Sequence, residues 1–338
     1  MQSQNIVFTG KNQVEVYDEV VPELGPDEFL LRATKSLIST GTEGICLGRL
    51  FDPGTHWDQW VKYPFHTGYS LVGQVAAVGR DVRRVHEGDR VAIRQSHNQY
   101  KVVPAHEPVY RIPDAVSDED ATWFHLATIV QNGVRRAQHQ LGDTVAVIGL
   151  GLLGQLVVQY TRLLGAQQVI AIDVAEKRLE MARSHGATTI LKMGADEARE
   201  HVLALTEGQG VNVVYDVTGA APVFPLALGL ARPLGRVVLL GDTGTPAAQQ
   251  LTGDVIRNGL TIVGAHDGNP PATSTNHAYW SHLRMGELFF DYVERGDMRV
   301  NDLVTHRYAP SDAVEAYRML HEERATAMGV IFDWTRLQ

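Results

Sequence analysis

The feature that constrains this chain most is an alternation that begins at Thr144. Five apolar runs, TVAVI (144–148), QVIAI (168–172), NVVYD (212–216), RVVLL (236–240) and LTIVG (260–264), alternate with stretches of helical character. Runs of this kind read as strands buried on both faces, and their alternation with helices implies a parallel sheet with crossover connections. Between the first two runs, LLGQLVVQYTRLLG places Leu153, Leu156, Val157, Tyr160, Leu163 and Leu164 on one helical face, and Gly165 supplies a C-terminal stop.

The turn between that first strand and helix reads Gly149-Leu150-Gly151-Leu152-Leu153-Gly154, a G-x-G-x-x-G pattern. In this context the first glycine permits a tight turn, the second lets a pyrophosphate approach the backbone, and the third lets helix and strand pack closely. The opening of the helix, with Leu152 and Leu153, offers backbone N–H groups and the positive end of the helix dipole to phosphate. Asp173 ends the next strand, where a carboxylate accepts hydrogen bonds from both ribose hydroxyls and repels a 2′-phosphate. The pattern therefore predicts an NAD site. Arg178, five residues further on, keeps NADP open. Thr218 and Gly219 after the third run and Gly241 with Asp242 after the fourth fall at strand ends where such sheets bind ligands, and His266 and Asp267 open the polar loop that follows the fifth.

Residues 1 to about 118 differ. NIVF, QVEVYDEVV, FLLRATKSLIS, SLVGQVAAVG, DRVAI and YKVVPA are short β-branched and leucine-rich runs punctuated by Gly, Pro and Asp, the signature of a compact barrel-like β domain. The stretch ATWFHLATIVQNGVRRAQHQL (121–141) then reads as helix, with Ser117 as its N-cap. Near the end, HAYWSHLRMGELFFDYVERG and DAVEAYRMLHEE read as helices and MGVIFDW as a strand.

Composition narrows the partners. The net charge of −9 without a basic block argues against nucleic acid or an anionic membrane as partner. No apolar stretch nears the roughly 18 residues of a membrane span, and MQSQNIVFTGKNQVEV has no signal-peptide character, so a soluble cytoplasmic protein is expected. Cys46 is the single cysteine, which leaves no CxxC pair for a zinc knuckle.

The chain resembles the medium-chain dehydrogenase/reductase superfamily, whose best-known members are zinc alcohol and polyol dehydrogenases. The resemblance runs through SLISTGTE (36–43), YPFHTGYSLVGQVAAVGRDVRRVHEGDRV (63–91), the glycine motif and LVTHRYAPSDAVEAYRML (303–320). It implies a doubly wound Rossmann sheet, an α/β dinucleotide-binding domain over 119–293, inserted into a GroES-like β-barrel catalytic domain formed by 1–118 and 294–338. It also implies pairing of subunits along the last sheet strand, hence a homodimer or a tetramer.

The departures from the family pattern bear on mechanism. Where zinc members carry Cys-Gly-Thr-Asp, this chain has Thr40-Gly41-Thr42-Glu43; where they carry Gly-His-Glu it has Gly68-Tyr69-Ser70; the third ligand position holds His125. Hydroxyl and phenol are poor zinc donors beside thiolate and imidazole, so no metal is expected there. His56, His66, His97 and His125, with Glu43, are the residues from which another metal site could be rebuilt. Without zinc, Thr42, Tyr69 and His125 are the candidates to handle the substrate oxygen and its proton. The expected activity is NAD-preferring interconversion of a secondary alcohol and ketone, the alcohol being a polyol, sugar or cyclitol. A zinc-free NAD(P)H reductase of activated C=C bonds and a non-catalytic cofactor-binding protein are the alternatives. Two stretches bear on substrate: LFDPGTHWDQWVKYPF, whose aromatics suit stacking on a ring, and AHDGNPPATSTNHAYW (265–280), a loop long enough for a lid.

Overall fold

The computed structural model describes every residue except Ala272 and Gln338. The chain folds into two compact units, one of Met1–Leu50, His56–His125 and Pro271–Gln338, the other of Phe51–Thr55 and Leu126–Pro270. Among the described residues no helix is long and apolar enough to cross a membrane.

The second unit is a six-stranded, all-parallel sheet. Its strands run in the order Thr189–Lys192, Gln168–Asp173, Thr144–Ile148, Val211–Asp216, Ala231–Leu239, Thr261–Gly264. Counted along the chain from Thr144, that order is 3-2-1-4-5-6, the doubly wound topology with its reversal between Thr144–Ile148 and Val211–Asp216. The apolar runs form these strands because both faces are covered: Ala146, Ile148, Ile170, Ile172, Val214 and Val237 are buried in one cluster with Phe224 and Leu228. The last strand, by contrast, exposes Thr261, Ile262 and Gly264 at the sheet edge. The helix after the first strand spans Leu152–Leu163 and buries Leu152, Leu156, Val157 and Tyr160. Leu163 and Leu164, expected on that face, are exposed because the helix ends there and Gly165, at φ +85°, turns the chain away.

The first unit holds a seven-stranded sheet in which Glu28–Leu37 pairs with Leu71–Val78, Tyr100–Pro104 and Gly329–Asp333. A three-stranded sheet of Gln13–Val20, Gln2–Gly10 and Phe65–His66 completes it. The C-terminal strand thus sits beside an N-terminal one, which makes the unit discontinuous in sequence.

The unit boundaries differ from the expected 119–293. Residues 119–125 and 271–293 belong with the first unit, and packing explains why. The Tyr110 and Phe124 rings lie 4.7 Å apart, and a Cβ on Gly286 would stand 2.4 Å from Tyr110 Cε1. The His282–Glu294 helix is therefore seated on the Tyr110 ring. Likewise a Cβ on Gly329 would meet Trp123 Cζ2 at 2.8 Å. Conversely, Phe51–Thr55 joins the second unit, where Asp52 N donates to Gly244 O at 2.8 Å. The helix read over 121–141 is in fact two, Asp118–Ala121 and Phe124–Arg136. Ser117 caps the first by accepting from Asp120 N, as its sequence implies.

At the end of the Phe124–Arg136 helix lies a buried polar cluster. His139 Nε2 is 2.6 Å from the Tyr215 hydroxyl, its Nδ1 is 3.5 Å from Asp143 Oδ2, and Arg236 reaches the same carboxylate at 3.6 Å. Burial pushes the His139 imidazole down to about 4, against the pull of Asp143 and with the push of Arg236. The unfolded chain therefore binds the extra proton between about pH 6.5 and 4. Stability is full above that window and is lost as the pH falls through it, by up to about 3 kcal/mol. Urea unfolding from pH 7.5 to 4.5 should show that loss in the wild type and a flatter profile in His139→Gln.

Candidate active site

The glycine turn of the second unit is built on two close approaches. Gly149 has φ +89°, a conformation that suits glycine, and a Cβ on Gly154 would lie 2.0 Å from Gly149 O. That contact seats the first turn of the Leu152–Leu163 helix on the end of the Thr144–Ile148 strand. Gly151 is the N-cap residue, and a Cβ there would meet nothing within 4 Å, so its face is open. The N–H groups of Leu152 and Leu153 lie in the first helical turn, where they have no acceptor within the helix.

Asp173 is fixed at this turn. Its Oδ2 accepts Leu150 N at 2.7 Å and its Oδ1 accepts Ala175 N at 2.8 Å. A carboxylate offers about four acceptor positions, so two remain for a ribose diol. Arg178 stands one turn into the next helix, Glu176–Ser184, and its carbonyl accepts Gln155 Nε2 at 2.8 Å. At the neighbouring strand ends, the Thr218 hydroxyl donates to Asp216 Oδ1 at 2.7 Å. Burial raises the Asp216 carboxyl, and the Thr218 hydroxyl and N–H oppose it. Gly241 packs so closely that a Cβ would stand 2.4 Å from Gly219 N. His266 is exposed, and its Nδ1 accepts Gly268 N at 3.0 Å. The arrangement fits a dinucleotide: amides and a helix terminus for phosphate, a held carboxylate for ribose.

In the first unit, Thr40–Gly48 is helical and presents Thr42 toward Tyr69, with the two hydroxyl oxygens 3.2 Å apart. Tyr69 also donates to Ser39 Oγ. The edge of the Tyr69 ring meets the His125 ring at 5.0 Å and 70°, and His125 in turn stacks with His282 at 6.4 Å and 22°. Thr42, Tyr69 and His125 are therefore brought together as one row. The sequence reading missed Ser39 and His282. Ser39 had a signal, an N-cap serine four residues ahead of Glu43, whereas His282 comes from a segment that no local pattern links to the barrel.

Beneath the row lies Glu43, 1 % exposed. Its carboxyl accepts Ser39 N at 2.7 Å, Thr67 Oγ1 at 2.9 Å and the Tyr317 hydroxyl, and lies 3.2 Å from His97 Nε2. Burial and the adjacent carboxyl push the Tyr317 phenol well above its ordinary value, so it stays a donor. His97 Nδ1 faces Ser36 Oγ at 2.8 Å, which also accepts Trp334 Nε1 at 2.9 Å.

The catalytic zinc of the resembled family does not fit this donor set. Tyr69, in the place of the histidine, is engaged by Ser39 and Thr42, and Thr40 offers only a hydroxyl. Burial drives the Cys46 thiol far up, with Glu43 adding to it. Among the described residues, no three of His56, His66, His97, His125 and Glu43 bring ligand atoms within 4.8 Å of one another. His66 instead faces Glu19 at 3.4 Å. The aromatic stretch proposed for stacking is largely packed on itself: Trp57 is buried beside Trp60, whose ring meets Phe65 edge-on at 5.1 Å.

Comparison with known proteins matches residues 32–114 to the alcohol dehydrogenase GroES-like domain and 153–281 to the zinc-binding dehydrogenase domain. L-threonine 3-dehydrogenase of Pectobacterium carotovorum subsp. carotovorum (strain PC1) is 28 % identical over 353 residues, covering 94 % of each chain. D-guloside 3-dehydrogenase of Shigella flexneri is 29 % identical over 284 residues, covering 79 % of this chain and 78 % of its own. A dehydrogenase of Sinorhizobium meliloti 1021, solved bound to NADP, shares the fold with a TM-score of 0.79 at 20 % identity, over 98 % of this chain and 99 % of its own.

Removing the Glu43 carboxyl strands four donors in a dry interior. Glu43→Ala should therefore lose on the order of 3–5 kcal/mol of unfolding free energy, read from urea or thermal melts. A loss below about 1 kcal/mol would contradict the role given to this carboxyl.

Proposed function

The chain belongs to the medium-chain dehydrogenase/reductase superfamily as an alcohol dehydrogenase-like oxidoreductase, and we propose that it interconverts a secondary alcohol and a ketone with an NAD-preferring site and without catalytic zinc. The alcohol is a polyol, sugar or cyclitol, a reading that the secondary-alcohol and sugar dehydrogenases among its relatives support. The observation that carries the proposal is a bonded row of hydroxyls, Thr42–Tyr69–Ser39, that reaches the His125 ring, with Tyr69 standing where the resembled family has a metal-binding histidine.

Gly149, Gly151 and Gly154 shape the turn that receives the pyrophosphate, with the Leu152 and Leu153 amides facing it. Asp173 accepts the ribose hydroxyls with the lone pairs its two backbone donors leave. That carboxylate would repel a 2′-phosphate, while Arg178, in the first turn of the Glu176–Ser184 helix, is the residue that could accommodate one. Thr218, Gly241 and His266 line strand ends on the same side of the sheet and complete the cofactor pocket. Bound NAD supplies the hydride acceptor.

The remaining task is the substrate proton. Tyr69 can take the proton of the substrate hydroxyl as its own passes to Thr42, whose hydroxyl proton passes in turn to solvent, so the released proton leaves the site and no net charge stays on the phenol. A hydroxyl held by two neighbours is pre-oriented to stabilise charge that develops on the substrate oxygen. His125 adds an imidazole, whose two ring nitrogens can take up and release a proton. The protein works as a cytoplasmic homodimer or tetramer, paired along the exposed Thr261–Gly264 edge; an unpaired strand edge favours such closure.

One set of measurements tests this reading. Tyr69→Phe should lower turnover by about 10²–10⁴-fold while the Kd for NADH stays within about twofold of wild type. The wild type should also bind NADH at least tenfold more tightly than NADPH, about 1.4 kcal/mol. Unchanged turnover removes Tyr69 from the mechanism, and tighter NADPH removes the role given to Asp173.

A further inference from the structure

The His125–His282 pair does not end in packed core. It forms one wall of a cavity of about 250 Å³ that lies wholly within the first unit and is also lined by Arg94, Gln95, Glu107 and Tyr110. Most of the remaining wall is aliphatic, from Ile93, Val103 and Pro108. Such a space is far above the roughly 10–15 Å³ of this measure that one water needs, so it has room for a small polyhydroxylated molecule.

The charges in this cavity are arranged in an informative way. Glu107 and Arg94 line the same space, yet among the described residues the Glu107 carboxylate has no hydrogen-bond or ion-pair partner. The two therefore do not close on each other. A carboxylate left without a partner on a largely apolar wall is poorly compensated, and a ligand that hydrogen-bonds to it gains accordingly. It also repels any ligand anion nearby. Arg94 supplies the opposite polarity. A neutral molecule with many hydroxyls suits this wall: a vicinal diol donates to Glu107, and other hydroxyls accept from N–H groups of Arg94 and Gln95. The C–H face of such a molecule can lie on the aliphatic wall and the Tyr110 ring.

We infer that this cavity binds an uncharged polyol or sugar, and that Glu107 is the residue that excludes phosphorylated and carboxylated analogues. His282 belongs to the same site, holding His125 in place through the stacked ring contact. The inference rests on the secondary-alcohol reading above and adds to it a charge rule and the residues that impose it. A zwitterion such as a β-hydroxy-α-amino acid is the rival ligand, since it too could bridge both charges. The cavity volume and the uncharged polar groups around it favour the polyol.

The test is calorimetric binding to the full chain loaded with NADH, using a panel of neutral hexitols and aldoses, their 6-phosphates, the corresponding sugar acids, and threonine. The wild type should bind at least one neutral member at least tenfold more tightly than its phosphate or acid. In Glu107→Gln that ratio should fall below threefold, through weaker polyol binding and stronger anion binding. Arg94→Gln should weaken polyol binding without reversing the charge order. The inference is overturned if an anionic analogue or threonine binds as tightly as the best polyol. An unchanged ratio in Glu107→Gln, or no binding by any neutral member, overturns it equally. Turnover measured on the same panel separates the two claims. Charge-ordered binding without NAD reduction sinks the dehydrogenase reading alone, and turnover without charge discrimination sinks this inference alone.

Discussion

A single buried carboxyl organises the part of the molecule proposed to carry the chemistry. Glu43 draws donors from residues 39, 67, 97 and 317, that is, from the start of its own helix, from the loop segments that carry Thr67 and His97, and from the Ala313–Glu322 helix. A group so deeply buried is tolerable only when its acceptor sites are filled, and here they are filled by segments that are far apart in sequence. The consequence is local order at the positions that matter. Ser39 and Thr42 stand on the turn that Glu43 anchors, and Tyr69 follows Thr67 by two residues, so the hydroxyl row inherits its geometry from the carboxyl beneath it. In such a design the donors need not be strong acids; they need to be held.

The second unit uses a different constraint, steric rather than polar. The approach of Gly154 to the Gly149 carbonyl leaves no room for a side chain, and it sets the helix N-terminus over the strand end. Asp173 then ties the turn to the next strand through the Leu150 amide. The amides proposed for phosphate and the carboxylate proposed for ribose are thus parts of one corner at the reversal point of the sheet.

The parallel sheet and the glycine turn were legible in the sequence because they are written locally. Five apolar runs, a glycine triplet and a strand-terminal acid need no distant partner to be recognised. The division of the chain was less legible. Residues 119–125 look like the start of a helix that continues into the second unit, and only the fit of Trp123 and Phe124 against Gly329 and Tyr110 assigns them to the first. Tyr69 and His125 could be named because they fall where the resembled family holds its metal, and Thr42 because it matches the threonine of the family's Cys-Gly-Thr-Asp segment. Ser39 could have been found as a cap. His282 could not, since stacking on His125 joins residues 157 positions apart with no periodic pattern between them. The same holds for Glu107, whose meaning lies in sharing a cavity with Arg94.

The central claim is that a bonded hydroxyl row performs the task that zinc performs in better-known members of the superfamily. The most direct measurement is turnover of a secondary alcohol with NAD by untagged protein after exhaustive chelation, with metal content determined on the same sample. The account predicts full activity with well under one zinc per chain. Activity that disappears with the metal and returns on adding zinc would contradict it.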